Sequence, residues 1–268
     1  MLMAALALGA AIGLVMGGLG GGGSILTVPV LVFVLGLPAL AATTASLVIV
    51  GITAAVAAVG HARSGGTRWR TGLLLVAVGV PASVLGSVLT RKVDENALLL
   101  AFAALMLVAA AGMLVRTQPH DEPAEPEVTT GATLTTTAVR PGATRRVAVR
   151  LVAVGVVIGF LTGFLGVGGG FIIVPVLVLA LHFPMSAAVG TSLLVIALNS
   201  AVALAARAGS GDFDWEVIVP FTLAAVVGSL LGQRIAGRLP AATLTRAFAV
   251  LLLLVAGYVA VRAAQGLT

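Results

Sequence analysis

The 268-residue chain contains no cysteine, which excludes disulfides, thiolate metal sites and cysteine nucleophiles. Charged residues make up only 9% of the chain, whereas a soluble domain carries about 25%. Apolar residues, by contrast, make up 60% of the chain. We therefore exclude an ordinary soluble domain and expect a protein that lies largely within the lipid bilayer.

Carboxylates are missing from the apolar stretches, because every Asp and Glu lies in a loop or in one polar segment. A membrane carrier of protons or cations usually holds such a carboxylate within the bilayer, so the sequence argues against a proton or cation carrier of that kind. The motifs HExxH and GxSxG and any Cys/His cluster are also absent. We accordingly expect no enzyme activity, no metal and no cofactor.

The positive net charge of +6 does not indicate nucleic acid as a partner. The arginines lie in short loops, where positive charge sets the orientation of membrane helices. The sequence has no basic stripe with interleaved aromatic residues, which make up only 4% of it. The partners we expect are the lipid bilayer and a small substrate.

Ten apolar segments follow one another, and most approach the length of about 20 residues that spans a bilayer. They cover residues 2–18, 24–36, 40–60, 71–90, 97–115, 148–164, 170–182, 186–206, 217–235 and 246–262. The second segment of each group of five, 24–36 or 170–182, is too short to span comfortably by itself. The pattern predicts a multi-pass protein of the cell (inner) membrane.

The chain contains two copies of one pattern. Shifting it by 146 positions superimposes residues 5–116 on 151–262 without a gap and matches their glycines, prolines and tryptophans. A segment rich in Pro, Thr and acidic residues separates the copies and reads as a flexible linker. We expect a transmembrane repeat at 1–116, a polar linker at 117–147 and a second transmembrane repeat at 148–268.

Loop charge predicts that the two repeats have opposite orientations. Loop 61–70 carries three arginines and no acid, while its counterpart 207–216 carries one arginine and three acids. In the next pair of loops, 91–96 is mixed and 234–246 carries three arginines. The positive-inside rule places 61–70 and 234–246 in the cytoplasm. The predicted fold is an all-α polytopic membrane protein with two homologous repeats in inverted topology, each with a glycine-broken helix hairpin plus three transmembrane helices.

Matched glycine runs interrupt both copies, GGLGGGGS at 17–24 and GFLGVGGG at 163–170. Consecutive glycines should end a helix, and the next half-helix would turn its N–H groups and positive dipole toward the break. Such a site favours an anion, although tight helix crossing would also explain the glycines. The predicted ligand positions are Gly20, Gly22, Gly23, Ser24, Gly166, Gly168, Gly169 and Gly170.

Hydroxyl and amide side chains follow each break, early in the next apolar segment. These positions, Thr44, Ser46, Thr191, Ser192 and Asn199, are predicted to donate hydrogen bonds to the same anion. The alternative is that the hydroxyls bond carbonyls one turn back in their own helices. Ahead of the breaks, glycines four residues apart, from Gly9 to Gly17 and from Gly155 to Gly163, predict close helix packing.

These residues resemble the TauE/SafE family of sulfite and organosulfonate exporters. The likeness lies in the glycine-to-proline pattern at Gly20–Pro29 and Gly166–Pro175, in the steps Ala45–Ser46 and Thr191–Ser192, and in the duplicated layout around a polar linker. It covers nearly the whole chain apart from 117–147. The resemblance implies a carrier of small sulfur-containing anions, but it does not transfer a particular substrate.

The leading hypothesis is a transporter, by direction an exporter, that moves sulfite, organosulfonates or other small anions by alternating access around the two glycine breaks. One alternative is a passive anion channel on the same scaffold. Another is a membrane assembly protein without transport of its own. All three hypotheses are compatible with a homo-oligomer.

Overall fold

The computed structural model describes residues 2–63, 65, 67–90, 95–116, 141–165, 170–206 and 214–265. In these residues the chain forms ten α-helices, one short 3-10 turn and no strand. The helices are α1 Leu2–Leu19, α2 Ser24–Phe33, α3 Ala39–Arg63, α4 Trp69–Thr90, α5 Glu95–Arg116, α6 Pro141–Leu165, α7 Gly170–Leu179, α8 Met185–Ala206, α9 Trp215–Ala236 and α10 Ala241–Gln265. The architecture is that of a polytopic membrane protein.

The helices repeat with the period found in the sequence. Helices α7 to α10 each begin 146 residues after α2 to α5, and α6 ends 146 residues after α1. Even the turn that follows the short helix recurs, because Gly36 and His182 occupy equivalent positions and both have positive φ, 71° and 56°. Helix α6 begins at Pro141, before the predicted span 148–164, so the end of the expected linker is helical.

The helix lengths fit a membrane protein. Among the described residues, five helical stretches are long and apolar enough to cross a bilayer: Ala41–Arg63, Trp69–Gly86, Met185–Ala205, Trp215–Ala236 and Ala241–Ala260. Helices α2 and α7 have 10 residues each, about 15 Å, so the prediction that they are too short to span is confirmed. Leucines and valines such as Leu85, Val108 and Leu254 are exposed, as side chains that face lipid are.

The two repeats pack against each other reciprocally. The most extensive helix contact joins α1 to α9, and the next joins their counterparts α6 and α4. The equivalent helices α3 and α8 also touch, as do α5 and α10. Reciprocal contacts of this kind are what a two-fold relation between two units produces.

Glycines bring α1 and α9 together. A Cβ built on Gly13 would meet the backbone of Ala225, and one on Gly17 would meet the backbone of Ser229. In the counterpart pair, a Cβ on Gly159 would meet the backbone of Gly79. The predicted packing role of the spaced glycines is therefore confirmed.

Candidate functional site

The glycine break of the first repeat lies against the start of α7. Helix α1 ends at Leu19, and Gly20 turns the chain with φ 80°. The next three glycines form the 3-10 turn Gly21–Gly23, which leads directly into α2. Gly21 lies so close to Gly170 that a Cβ on it would overlap the Gly170 backbone. The predicted start of a half-helix at Ser24 is confirmed, but the backbone is unwound only around Gly20.

Ser24 and Gly170 mark the junction of the repeats. A Cβ on Gly170 would lie 2.5 Å from the Ser24 hydroxyl oxygen, and the two residues occupy equivalent positions. Equivalent residues touch only near the two-fold axis that relates two units. The short broken helices α2 and α7 therefore meet at this junction.

A cavity of about 340 Å³ opens beside this junction, between α2, α3, α4, α6 and α8. Its described wall contains no charged side chain. Glycine, alanine, valine and leucine form the apolar part, and the exposed Val84 and Val202 mark its outer edge. The polar part consists of Ser24, Thr43, Ser46, Ser83, Thr162, Asn199 and Ser200.

Three of the predicted ligands, Ser24, Ser46 and Asn199, lie in this wall. They come from both repeats, as the predicted site between two copies requires. Ser83, Thr162 and Ser200 were not predicted. The sequence did contain a signal for Ser83, because its repeat counterpart Ser229 is also a serine. Both apolar helices, α4 and α9, therefore carry a hydroxyl at the same position.

The other predicted hydroxyls lie outside the cavity wall. Thr44 and Ser192 are buried within the helix bundle. Thr191 Oγ1 accepts a hydrogen bond of 3.2 Å from the backbone N–H of Arg68, in the connection between α3 and α4. The guanidinium of Arg68 lies 4.4 Å from the centre of the Phe183 ring, at the same end of the bundle.

The glycines of the first break also lie outside the wall, and their Cα atoms face packed neighbours. A Cβ on Gly20 would lie 2.8 Å from Ser192 Oγ. Side chains of α10, including Leu251, lie against Gly22, and Met16 of α1 lies against Gly23. Whether their N–H groups contact a substrate stays a prediction. The predicted Gly166, Gly168 and Gly169 lie outside the described residues.

Serine and threonine hydroxyls in the wall donate to backbone carbonyls of their own segments. Ser46 Oγ donates to Thr43 O at 2.8 Å and Ser83 Oγ to Val80 O at 2.7 Å. Ser24 and Thr162 make the same kind of bond, to Gly21 O and Ile158 O. Ser192 Oγ likewise donates to Val189 O at 2.8 Å, so for Ser46 and Ser192 the stated alternative of bonds within their own helices is what the structure contains. A bound anion must turn each hydroxyl away from a bond whose net contribution is about 0.5–1.5 kcal/mol.

Comparisons with known proteins agree with this architecture. The model of the family described as "Sulfite exporter TauE/SafE" matches residues 5–259. A "Probable membrane transporter protein" of Xylella fastidiosa is 33% identical over 94% of this chain and 92% of its own length. "Probable membrane transporter protein YunE" of Bacillus subtilis is 25% identical over 88% of this chain and 89% of its own. No solved structure matches the chain.

The match with the family model extends over both repeats, including the glycine breaks and every helix that lines the cavity. The relatives that match over most of their length are named as membrane transporters. The chain is accordingly a multi-pass membrane transporter, and it belongs to the TauE/SafE sulfite exporter family.

Proposed function

We propose that this transporter moves small sulfur-containing or organic anions, such as sulfite or organosulfonates, and that the cavity at the junction of the repeats is where the anion binds. The observation that carries the proposal is the makeup of the wall. It combines Asn199, several hydroxyls and the start of α2, and its described residues include no carboxylate that would repel an anion. The family name, which refers to sulfite export, agrees with this substrate class and with the predicted direction of transport.

A neutral wall is suited to transient binding of an anion. Helix α2 continues directly from the turn Gly21–Gly23, and the Ser24 N–H already bonds Gly21 O. The positive dipole end that favours negative charge therefore lies at this turn, next to Ser24 in the cavity wall. The Asn199 amide adds N–H donors, and each hydrogen bond to a charged group contributes about 1.5–3 kcal/mol. Several such bonds would offset part of the anion's desolvation without the strong hold of a fixed arginine.

We also propose that the repeats are inverted. Helix α3 ends at Arg63, beside the start of α4, where the Arg68 N–H bonds Thr191 near the start of α8. Gly51 in the middle of α3 lies beside Ser200 in the second half of α8. These contacts support antiparallel α3 and α8. Equivalent helices that cross a membrane in opposite directions are the mark of an inverted repeat.

The same geometry groups the arginines at one end of the bundle. Gln233, near the end of α9, bonds the carbonyl of Ala57, near the end of α3. We call this end, which carries Arg63, Arg68, Arg70, Arg234 and Arg238, the arginine-rich end. The positive-inside rule places this arginine-rich end on the cytoplasmic side of a cell (inner) membrane.

Single cysteines test this topology cleanly because the chain has none. Arg63→Cys and Arg238→Cys should react with an impermeant thiol reagent from one side only, and Asp214→Cys, ahead of α9, from the other. All three positions are exposed. Labelling of Arg63→Cys and Asp214→Cys, which flank equivalent loops of the two repeats, from the same side would disprove the inverted arrangement.

The anion proposal is tested by thermal unfolding of the purified protein with sulfite, sulfate, sulfoacetate, taurine or acetate. We expect at least one of the sulfur-containing anions to raise the melting temperature. The same anion should then accumulate in proteoliposomes that contain the protein. Asn199→Leu should weaken binding about tenfold or more, since it removes the amide donors. Thr222→Val is the control, because its hydroxyl bonds Ile218 O within α9, away from the cavity.

The outcomes separate the alternatives. Transport only down a gradient would favour the passive channel, and no thermal response to any anion would favour an assembly protein. The structure supports a carrier over an open pore, because the residues equivalent to the cavity wall are packed.

A further inference from the structure

The repeat relation assigns every cavity residue a counterpart, and most of these counterparts are buried. Thr43 and Leu47 line the cavity, whereas Val189 and Leu193 at the equivalent positions are buried. Thr162 in the wall likewise corresponds to the buried Met16. Buried side chains, among them the larger Met16, thus fill the region that the two-fold relation pairs with the cavity.

Thr53 differs from the other buried polar residues paired with the wall, Ser192 and Ser229, whose hydroxyls donate to backbone carbonyls of their own helices. It is the counterpart of Asn199, it is 1% exposed, and its Oγ1 has no hydrogen-bond partner in the described part of the chain. A buried hydroxyl without a partner destabilises the conformation that contains it. Its presence is explained if another conformation gives this hydroxyl a partner.

The packed region lies toward the arginine-rich end, and a bond between the repeats closes it there. Gln233 Nε2 donates to the carbonyl oxygen of Ala57 at 2.8 Å, and His61 Nδ1 lies 3.2 Å from the same oxygen. The counterpart of Ala57 is Ala203, which lines the cavity. The counterpart of Gln233 is Ser87, whose side chain is shorter.

We infer that the packed region around Thr53 is the second face of the binding site, and that the Thr53 hydroxyl contacts the transported anion when the arginine-rich end opens. In that conformation the Gln233–Ala57 bond is broken and the cavity around Asn199 is closed. Thr53 and Asn199 then serve the same anion in turn, one in each conformation. The inference rests on the proposed function, since it takes the anion to be the transported substrate.

Accessibility in membrane vesicles tests the inference without knowledge of the substrate. Thr53→Cys, Asn199→Cys and Thr222→Cys would each be treated with sulfonatoethyl methanethiosulfonate in right-side-out and inside-out vesicles. We expect Asn199→Cys to react from the side opposite the arginine-rich end, and Thr53→Cys to react from the arginine-rich side. Thr222→Cys, buried within α9, should react about tenfold or more slowly than either.

The two proposals fail in different ways. If Thr53→Cys is unreactive from both sides, or reacts from the same side as Asn199→Cys, the inference is wrong while the cavity stands. If Asn199→Cys is unreactive from both sides, the cavity is not on the transport path and both proposals fall. Should Thr53→Cys not fold, Ala57→Cys replaces it, because Ala57 lies one turn further along the same face of α3.

A transport measurement tests the hydroxyl itself. Thr53→Val keeps the shape of the side chain and removes its donor, so sulfite or sulfoacetate flux should fall about tenfold or more. Thr53→Ser restores the donor and should transport at close to the normal rate. Equal flux in the Val and Ser variants would show that the hydroxyl does not contact the anion.

Discussion

The region around the cavity at Asn199 and the region around its counterpart Thr53, which we call the cavity half and the packed half, share one scaffold. They differ in how tightly side chains fill them. In both halves a glycine helix lies directly on its partner, α1 on α9 and α6 on α4. The half that holds the cavity carries Thr162, and the packed half carries Met16 at the same position. At this position a larger side chain fills the packed half, although the helix packing is alike.

Polarity differs along with filling. On the cavity side, Ser24, Asn199 and Ser200 face the open space, whereas their counterparts are Gly170, Thr53 and Ala54. Among the polar residues of the described cavity wall, only Ser46 and Ser83 have identical counterparts, Ser192 and Ser229. An anion that moved from the cavity half to the packed half would meet serine hydroxyls at equivalent positions in both. The Thr53 hydroxyl would replace the Asn199 amide as its hydrogen-bond donor.

The largest expected effect comes from the pair that differs most in size, Met16 and Thr162. Met16→Ala would open a void in the packed half, and such a change in a buried methionine costs about 2–5 kcal/mol of stability. Thr162→Ala only widens an existing cavity and should cost less than about 1 kcal/mol. Denaturation of both variants in detergent measures the difference. Equal losses would mean that the two halves are filled alike.

The glycine contacts should be equally intolerant in both halves. Gly13→Val and Gly159→Val each place a side chain against the backbone of a neighbouring helix, and overpacking of this kind costs about 1–3 kcal/mol. Gly257→Val is the matched control, because a Cβ at Gly257 meets nothing within 4 Å. Melting temperatures in detergent provide the test. If Gly159→Val were harmless, the cavity half would be the more loosely packed one.

Much of the scaffold could be predicted from the sequence because the repeat constrains it twice. The start of α2 at Ser24 was predicted to the residue, since a run of glycines precedes it. The first residues of α6, 141–147, were missed because they are polar. Ala143, Arg145 and Arg146 are compatible with helix despite the low hydrophobicity of this stretch.

The site was predicted only in part, and symmetry is the reason. A repeated sequence treats Ser46 and Ser192 as equals, but only Ser46 lines the cavity. Which half opens depends on the conformation, and helix contacts across the repeats bring Ser83 and Thr162 beside Asn199. Those contacts join residues far apart in the chain, so segment-by-segment reasoning could not find them.

Gln233 offers a way to shift the balance between the halves. Gln233→Leu retains bulk beside Gly60 but removes the bond to the Ala57 carbonyl, worth about 1–1.5 kcal/mol. The arginine-rich end should then open more often. Labelling of Thr53→Cys from that side should rise about fivefold or more in this background. Thr245→Ala, at an exposed position of α10, should leave the rate unchanged. No increase with Gln233→Leu would mean that this bond does not hold the packed half closed.

The smallest expected effect has the opposite sign. Thr53→Val removes a buried hydroxyl that lacks a partner, so it should stabilise the protein by about 0.5 kcal/mol. Thr222→Val, which removes a hydroxyl bonded to Ile218 O, should instead destabilise it by about 0.5–1.5 kcal/mol. The two variants make the same chemical change at buried helix positions, so melting temperatures compare them directly. A protein that gains stability but loses flux on Thr53→Val is one in which that hydroxyl serves the second conformation. Destabilisation by Thr53→Val would show that the hydroxyl already has a partner, such as water, and would remove the reason to assign it to transport.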